Sequence, residues 1–199
     1  MFSNGSSEAK TLTGAEHLID LVGQPRLANS WWPGAVISEE LATAAALRQQ
    51  QALLTRLAEL AADSSADDAA AINALRQQIQ ALKVTGRQKI NLDPDIVRVA
   101  ERGNPPLQGS YTLWVGTPPS TVTLFGLISR HGKQSFTPVA TWRAISLTRA
   151  CSAVGSRSYA WVVYPDGRTQ KRRWLTGTSV IEPMPGSIIY VGLARTPSE

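Results

Sequence analysis

The chain has 199 residues, 43% of them hydrophobic, which is enough for one or two domains with a core. It has no run of apolar residues long enough to predict a membrane span, and its single cysteine, Cys151, excludes an intramolecular disulfide and a cysteine-based zinc cluster. The net charge of +5 is uneven, because residues 84–199 carry 14 basic and 6 acidic side chains. This half predicts an anionic partner such as an acidic polysaccharide, nucleic acid or a lipid headgroup, although a solvated basic face is the simpler alternative.

The first elements predicted are a turn and a short helix. Asn4-Gly5 is a strong hairpin signal without an incoming strand, so we expect that the chain has been trimmed and that the native protein has a signal peptide and a strand before Phe2. Thr13 and Glu16 have the spacing of a capping box, which predicts a helix beginning at Thr13 and ending at Gly23. Its apolar face comprises Ala15, Leu18, Ile19 and Val22.

Trp31-Trp32 precedes Pro33-Gly34 and a strand-like stretch. Tandem tryptophans suit packing against the first helix, and they also suit a platform on which a sugar stacks. Packing is the favoured interpretation, and sugar binding remains open.

Residues 38–83 predict a helical hairpin inserted into a domain of strands and turns. Ser38 has the character of an N-cap, residues 63–68 form a polar break, and Ser65 with Asp68 predicts a second helix start. The second helix presents a narrow apolar stripe: Ile72, Leu75, Ile79 and Leu82. Since stripes this narrow suffice only for the two helices to bury each other, we predict an arm that projects from its domain with a packed base and a solvated tip.

The next stretch predicts a turn, a strand and a domain boundary. Asp93-Pro94-Asp95 is typical of a turn, and residues 96–99 are mostly β-branched, which predicts a short strand. Gly103-Asn104-Pro105-Pro106 is the best linker in the chain. The sequence therefore predicts a first domain over residues 1–107 and a second over residues 108–199.

The second half predicts two strands, a helix and three further strands. The ranges are Tyr111–Val115, Thr121–Ile128, a helix from Ser146 to Val154, Tyr159–Tyr164, Arg168–Leu175 and Ser187–Val191. This order is typical of a β-grasp domain, and the first half has the same order once the hairpin is removed. The fold class predicted is α+β, with two tandem β-grasp domains and the helical hairpin inserted in the first.

The sequence has no His-Glu-x-x-His, Gly-x-Ser-x-Gly, P-loop or Gly-x-Gly-x-x-Gly motif, so it predicts no enzyme. His17 and His131 lack a nucleophile nearby in sequence, and Asp93 with Asp95 suits a turn better than a glycosidase pair. The densest basic run covers Lys171, Arg172 and Arg173. On a strand these side chains alternate, so they suit a guarded sheet edge better than a phosphate-binding stripe.

Three stretches resemble the GfcC/YjbG-type capsule (exopolysaccharide) biosynthesis proteins of Gram-negative bacteria. They are Leu12–Val22, the Trp-Trp-Pro-Gly-Ala-Val-Ile run over residues 31–37, and Val-Thr-Gly-Arg-Gln over residues 84–88. In addition, Pro185–Gly192 resembles the closing strand of the β-grasp modules in Wza-like polysaccharide exporters. Family members carry a C-terminal amphipathic helix, of which Pro197-Ser198-Glu199 has the character of a start.

The resemblance implies a non-enzymatic periplasmic protein, without a cofactor, that acts in capsule or exopolysaccharide assembly or export. The expected partners are an acidic polysaccharide, outer-membrane export proteins, or both; neither the partner nor the oligomeric state follows from the sequence. A polysaccharide-modifying enzyme is the alternative, and a nucleic-acid-binding adaptor is a weaker one. The candidate binding residues are Arg87, which leaves the inserted hairpin directly after Gly86, with Trp31, Trp32 and Arg98.

Overall fold

The computed structural model describes residues 8–10, 15–100, 102–136, 155–156, 159–173 and 183–194. The protein is α+β, as predicted, and the chain divides into two compact units. Unit 1 consists of Met1–Arg48 with Lys83–Pro119, and unit 2 consists of Gln49–Leu82 with Ser120–Glu199. The tandem β-grasp assignment within this architecture stays a prediction.

Unit 1 contains three strands and two short helices among its described residues. The strands are β1 (Glu8–Lys10), β2 (Val36–Glu39) and β3 (Tyr111–Val115), arranged antiparallel in the order β1-β3-β2. The helices are α1 (Leu18–Val22) and α4 (Pro94–Val99), with one-turn 3-10 helices at Pro25–Leu27 and Trp32–Gly34. Its core is apolar and includes Leu18, Leu21, Val22, Leu27, Ile37, Leu92, Val97, Leu113 and Val115.

Strand β3 corrects the predicted domain assignment. The sequence assigned Tyr111–Val115 to the second domain, but this strand pairs with both Glu8–Lys10 and Val36–Glu39. The preceding Gly103–Pro106 stretch is a structural turn, since Asn104 accepts a hydrogen bond from the Ile19 backbone N–H at 2.8 Å. This segment provides a hydrogen-bond acceptor for the N-terminus of α1. Its Pro- and Gly-rich composition is also typical of a linker, which is why the sequence predicted a domain boundary here.

Helix α1 begins later than predicted. Residues 15–17 are not helical, and the Asp20 carboxylate accepts hydrogen bonds from the backbone N–H groups of Glu16 and His17 at 3.2 and 2.9 Å. Asp20, three residues after the cap, is thus the acid of the capping box, a role that the sequence assigned to Glu16. Thr13, the predicted cap, lies outside the described residues.

The predicted strand at residues 96–99 is wrong, because this stretch belongs to α4. The Asp93 side chain accepts a hydrogen bond from the Asp95 N–H at 3.0 Å, and Pro94 occupies the first helical turn. This combination of an N-cap aspartate and a following proline starts a helix, and it outweighs the strand preference of Ile96, Val97 and Val99. Of these three, only Val97 is buried.

The helical hairpin is confirmed as α2 (Glu40–Ala62) and α3 (Ala66–Gln80). Its first cap is not Ser38, which lies in β2 and is buried, with its hydroxyl accepting a 3.4 Å hydrogen bond from Trp114 Nε1. Its second cap is as predicted, since Ser65 Oγ accepts from the Asp68 N–H at 3.3 Å. The tip between the helices is largely exposed, also as predicted.

The predicted projecting arm is wrong within unit 2, where the hairpin packs on the sheet. Leu57, Ala61, Ile72, Leu75 and Ile79 form one buried cluster with Leu127, which directly follows the strand Thr121–Gly126. Partly buried side chains extend this cluster, among them Leu54, Leu60, Phe125, Tyr190 and Leu193. The stripes are narrow but continuous, and the sheet supplies apolar partners that helix periodicity alone does not reveal.

Unit 2 contains a five-stranded sheet in the order β5-β4-β8-β6-β7. The strands are β4 (Thr121–Gly126), β5 (Gly132–Ser135), β6 (Tyr159–Val163), β7 (Thr169–Arg173) and β8 (Ile188–Val191). Only the β4–β8 pair is parallel. Four of these strands were predicted, whereas β5, which is polar and begins with glycine, was not.

The predicted turn at Pro165-Asp166-Gly167 is confirmed as the β6–β7 connection. Gly167 has a φ of 89°, and the Tyr164 N–H donates to the Arg168 carbonyl at 2.8 Å. The predicted hairpin at Phe2–Ser6, the predicted helix from Ser146 to Val154 and the chain end after Ala194 lie outside the described residues. Within the described ranges, no helix has both the length and the apolar character needed to cross a bilayer.

Candidate binding surfaces

Of the tryptophan pair, Trp32 takes part in the packing of unit 1. Trp32 is half-buried and packs against the core, and the backbone N–H of Trp31 donates to the Gly116 carbonyl at 2.9 Å. These contacts agree with the favoured packing interpretation. A sugar contact at Trp31 or Trp32 stays a prediction.

Arg87 is held where β2 and the start of α2 meet. The residue before it, Gly86, has no room for a side chain, because a Cβ there would lie 2.2 Å from the Thr43 backbone nitrogen. Arg87 itself forms an isolated β-bridge with Ser38, and its Nη2 lies 3.5 Å from the Ala35 carbonyl oxygen. Arg87 is half-buried, and a functional role for it stays a prediction.

Arg98 lies on the exposed side of α4. Its Nη1 is 3.6 Å from Asp95 Oδ1, and the two side chains are 63% and 91% exposed, so the pair contributes little to stability. Arg98 borders an open depression of about 330 Å³ whose other lining residues are Ile19, Val97, Val99, Ala100 and Asn104. Arg87 thus contacts β2 and the residue before it, whereas Arg98 contacts Asp95 of its own helix.

The basic run over residues 171–173 lies on β7, which is an edge strand of the unit 2 sheet, as predicted. Its side chains alternate: Lys171 is opposite Trp161, whereas Arg172 is opposite Ala160 and donates from Nη2 to Gln170 Oε1. Arg173 pairs with Tyr159 in the ladder. Arg172 therefore lies on the other side of the strand from Lys171, and the run does not form one continuous stripe.

The clearest chemical grouping on the protein is Tyr159, Trp161 and Lys171, which we call the β6–β7 surface. Tyr159 and Trp161 are alternate residues of β6, hence on one side of the sheet, and they are 40% and 41% exposed. The Lys171 ammonium lies 4.7 Å from the Tyr159 ring centroid and 5.8 Å from that of Trp161. Sequence reasoning noted the lysine but missed both rings, although the alternation of large and small residues in Tyr-Ala-Trp-Val-Val is a visible signal.

The β6–β7 surface is the exposed end of a longer aromatic row. Strand register places Phe125 beside Tyr190, Tyr190 beside Trp161, and Trp161 beside Lys171. The Phe125 and Tyr190 rings are 5.9 Å apart and pack against the helical hairpin. Burial raises the pKa of the Tyr190 hydroxyl above its usual value, because the charged form loses solvation. Half of the row is thus covered, and half is available to a ligand.

Comparison with known proteins decides the family. The capsule biosynthesis GfcC N-terminal model matches residues 1–118, and the GfcC C-terminal model matches residues 130–198. This chain belongs to the GfcC capsule biosynthesis family. It is also 81% identical over 197 residues to the uncharacterized protein YjbG of Escherichia coli strain K12, in an alignment that covers 98% of this chain and 80% of YjbG.

Membership of the GfcC family confirms the resemblance seen in the sequence and indicates a role in capsule biosynthesis. The N-terminal family model extends through residue 118 and so includes strand β3, in agreement with its pairing in unit 1. The further likeness to β-grasp modules of Wza-like exporters stays a prediction.

The residues considered for catalysis, His17 and Asp93, both lie at the starts of helices in this GfcC-family chain. His17 precedes α1 and its backbone is bound by Asp20, while Asp93 caps α4. Within the described parts of the chain, no three His, Cys, Asp or Glu side chains are grouped so as to hold a metal ion. The β6–β7 surface itself offers two rings and an ammonium group, which suit noncovalent contact with a ligand.

Proposed function

We propose that this GfcC-family protein is a non-enzymatic accessory protein of the periplasm that binds the polysaccharide during capsule or exopolysaccharide assembly or export. Its family supports a role in capsule biosynthesis. The observation that carries the binding role is the β6–β7 surface, in which two exposed aromatic rings and a lysine are held on one side of a sheet.

Aromatic rings on a sheet are suited to a sugar polymer because they offer flat apolar faces with little conformational freedom to lose. Tyr159 and Trp161 are two residues apart, so their side chains project about 7 Å apart along β6. That spacing allows one extended chain to contact both rings. Because β6 is hydrogen-bonded on both sides, to β7 and β8, the backbone that carries the two rings is held in place.

The charge of the surrounding sequence supports an anionic polymer. Residues 84–199 carry 14 basic and 6 acidic side chains, and exposed Lys133 lies on β5 of the same sheet as Lys171. A positive field of this kind increases the encounter rate with a polyanion and is weakened by salt. The polysaccharide is therefore the partner proposed for this surface, ahead of a neutral ligand.

The test of this function compares binding with turnover. The purified protein is incubated with the exopolysaccharide of the bacterium that encodes it, and the mixture is separated by size. We expect the protein to elute with the polymer and the polymer to keep its length and composition. Shortened or altered polymer would indicate the alternative, a polysaccharide-modifying enzyme.

A second experiment, in cells, tests whether this surface is needed for capsule formation. A strain lacking the gene is complemented with the wild type or with Trp161→Ala, and surface polysaccharide and the periplasmic level of the protein are measured. We expect Trp161→Ala to accumulate normally in the periplasm but to support less polymer. Full complementation by Trp161→Ala would contradict the role of this surface and favour a protein of the export machinery as the partner.

A further inference from the structure

We infer that the β6–β7 surface selects sugars that carry a carboxylate, with Lys171 as the residue that distinguishes them from neutral sugars. This inference rests on the proposed polysaccharide-binding function and adds the chemical class of the sugar. It follows from where the ammonium group lies, and from what a ligand must do to reach the rings.

In the part of the chain that the structure describes, Lys171 forms no ion pair with an acid. Among the described residues, no carboxylate lies within 4 Å of its ammonium group, whereas Arg168 pairs with Asp166 at 2.5 Å and Arg98 with Asp95 at 3.6 Å. Instead, Lys171 is held over the rings of Tyr159 and Trp161. An exposed cation–π contact is weak, so this ammonium group is available for a stronger partner.

A sugar that stacks on Tyr159 must displace the ammonium group, because Lys171 Nζ lies only 4.7 Å from the centre of that ring. A neutral sugar displaces it without offering a charged partner in return. A sugar with a carboxylate at its edge offers a charge-assisted hydrogen bond, which is stronger than the cation–π contact it replaces. Lys171 therefore both favours acidic sugars and disfavours neutral ones.

The test uses two forms of the exopolysaccharide from the bacterium that encodes the protein: the native polymer and the same polymer with its carboxyl groups chemically reduced to alcohols. Binding to each is measured at constant ionic strength. We expect the wild type to bind the native polymer about tenfold more tightly than the reduced one, as one charge-assisted hydrogen bond implies.

Lys171→Gln should act in opposite directions on the two polymers. It should weaken binding of the native polymer and strengthen binding of the reduced one, because it removes both the partner for the carboxylate and the obstacle over Tyr159. The matched control is Lys133→Gln, which makes the same charge change at an exposed position of β5, at the other edge of the sheet. This control should keep the preference for the native polymer. Lys171→Met provides a second uncharged variant should the first be unstable.

The outcomes distinguish carboxylate selection by Lys171 from the proposed polysaccharide binding on which it rests. Equal affinity of the wild type for the two polymers would overturn carboxylate selection and leave polysaccharide binding in place. Equal effects of Lys171→Gln and Lys133→Gln would also overturn it, because the preference would then reflect overall charge. Absence of binding to either polymer would contradict the proposed function itself.

Discussion

Tyr190 connects the covered and exposed halves of the aromatic row, and its ionisation gives a measurable signature of that burial. Desolvation raises its pKa in the folded protein, so the unfolded chain releases this proton at a lower pH than the folded one. Unfolding therefore releases a proton once the pH passes the ordinary tyrosine value of about 10. Below that pH the Tyr190 hydroxyl is protonated in both states, and stability is unaffected by its ionisation. Above it, the free energy of unfolding falls as the pH rises through the folded-state pKa.

We predict that Tyr190→Phe removes this part of the alkaline destabilisation. The free energy of unfolding would be measured by urea denaturation at several values between about pH 8 and pH 11 for both proteins. The wild type should lose stability above about pH 10 more steeply than the variant, because the other tyrosines are common to both. Parallel curves for the two proteins would show that Tyr190 ionises as readily in the folded state as in the unfolded state.

The side-chain amide of Gln78 in α3 forms two hydrogen bonds with the backbone of Gly126 in the unit 2 sheet. Its Nε2 donates to the Gly126 carbonyl at 3.0 Å, and its Oε1 accepts from the Gly126 N–H at 2.9 Å. Gly126 has a φ of 103°, and a Cβ there would lie 2.2 Å from the Val191 carbonyl oxygen, so only glycine fits. The amide thus satisfies a buried backbone N–H at the end of a strand.

We predict that Gln78→Ala destabilises the protein by about 1–3 kcal/mol, the cost of leaving a buried polar group without a partner. The matched control is Gln77→Ala on the exposed side of the same helix, which should change stability by about 0.5 kcal/mol or less. Thermal and urea denaturation would measure both. Equal effects of the two substitutions would mean that the Gln78 amide contributes nothing beyond helix propensity.

At the scale of elements, the helical hairpin belongs to the core of unit 2. Leu75 and Ile79 of α3 are buried with Leu127, and Phe125 and Tyr190 pack against the same cluster. Removing the hairpin would leave this side of the sheet without its apolar cover. The cost would come from lost burial, because closing the chain with a loop of a different length changes the free energy only slowly.

We therefore predict that replacing residues 49–82 by a short Gly-Ser linker prevents unit 2 from folding cooperatively. Leu75→Ala provides a graded version of the test and should cost about 2–5 kcal/mol, whereas Leu53→Ala, at a position that is 44% exposed, should cost far less. Circular dichroism and thermal unfolding would measure all three proteins. An excised protein that unfolds as cooperatively as the wild type would restore the independent arm that the sequence predicted.

Much of the secondary structure could be predicted from the sequence, because it depends on neighbours along the chain. The hairpin helices, the cap at Ser65 and the turn at Pro165–Gly167 follow from local periodicity and turn chemistry. The errors arose where distant residues decide. Pairing of Tyr111–Val115 with Glu8–Lys10 and packing of α3 on Leu127 depend on tertiary contacts that no local pattern contains.

The candidate site was predictable only in part for the same reason. The sequence identified Lys171 as part of a basic run but not its position across from Trp161, since register between two strands is a property of the sheet. The sequence placed Arg87 directly after Gly86 at the end of the hairpin, but its bridge to Ser38 depends on a tertiary contact that the local pattern does not contain. The other candidates, Trp32 and Arg98, differ in a property that only the fold reveals, namely burial.

At the scale of the whole molecule, the proposed polysaccharide partner is supported by the family's role in capsule biosynthesis and by the charge and exposed chemistry of the chain. The chain belongs to a capsule biosynthesis family, the basic excess lies in residues 84–199, and this half carries the β6–β7 surface. Since binding in this account combines ring contacts with a cation, it should weaken as salt increases but should not vanish once the charge is screened.

The most direct test of this account is a calorimetric titration of the purified protein with native exopolysaccharide at low and at physiological salt. We predict that Trp161→Ala lowers the affinity about tenfold or more at both salt concentrations, as expected for loss of a stacked aromatic ring in a binding site. The matched control is Ile96→Ala, which removes an apolar side chain of similar exposure from α4 and should bind as the wild type does. Equal affinities of the Trp161→Ala variant and the wild type would contradict the central claim that the β6–β7 surface binds the polysaccharide.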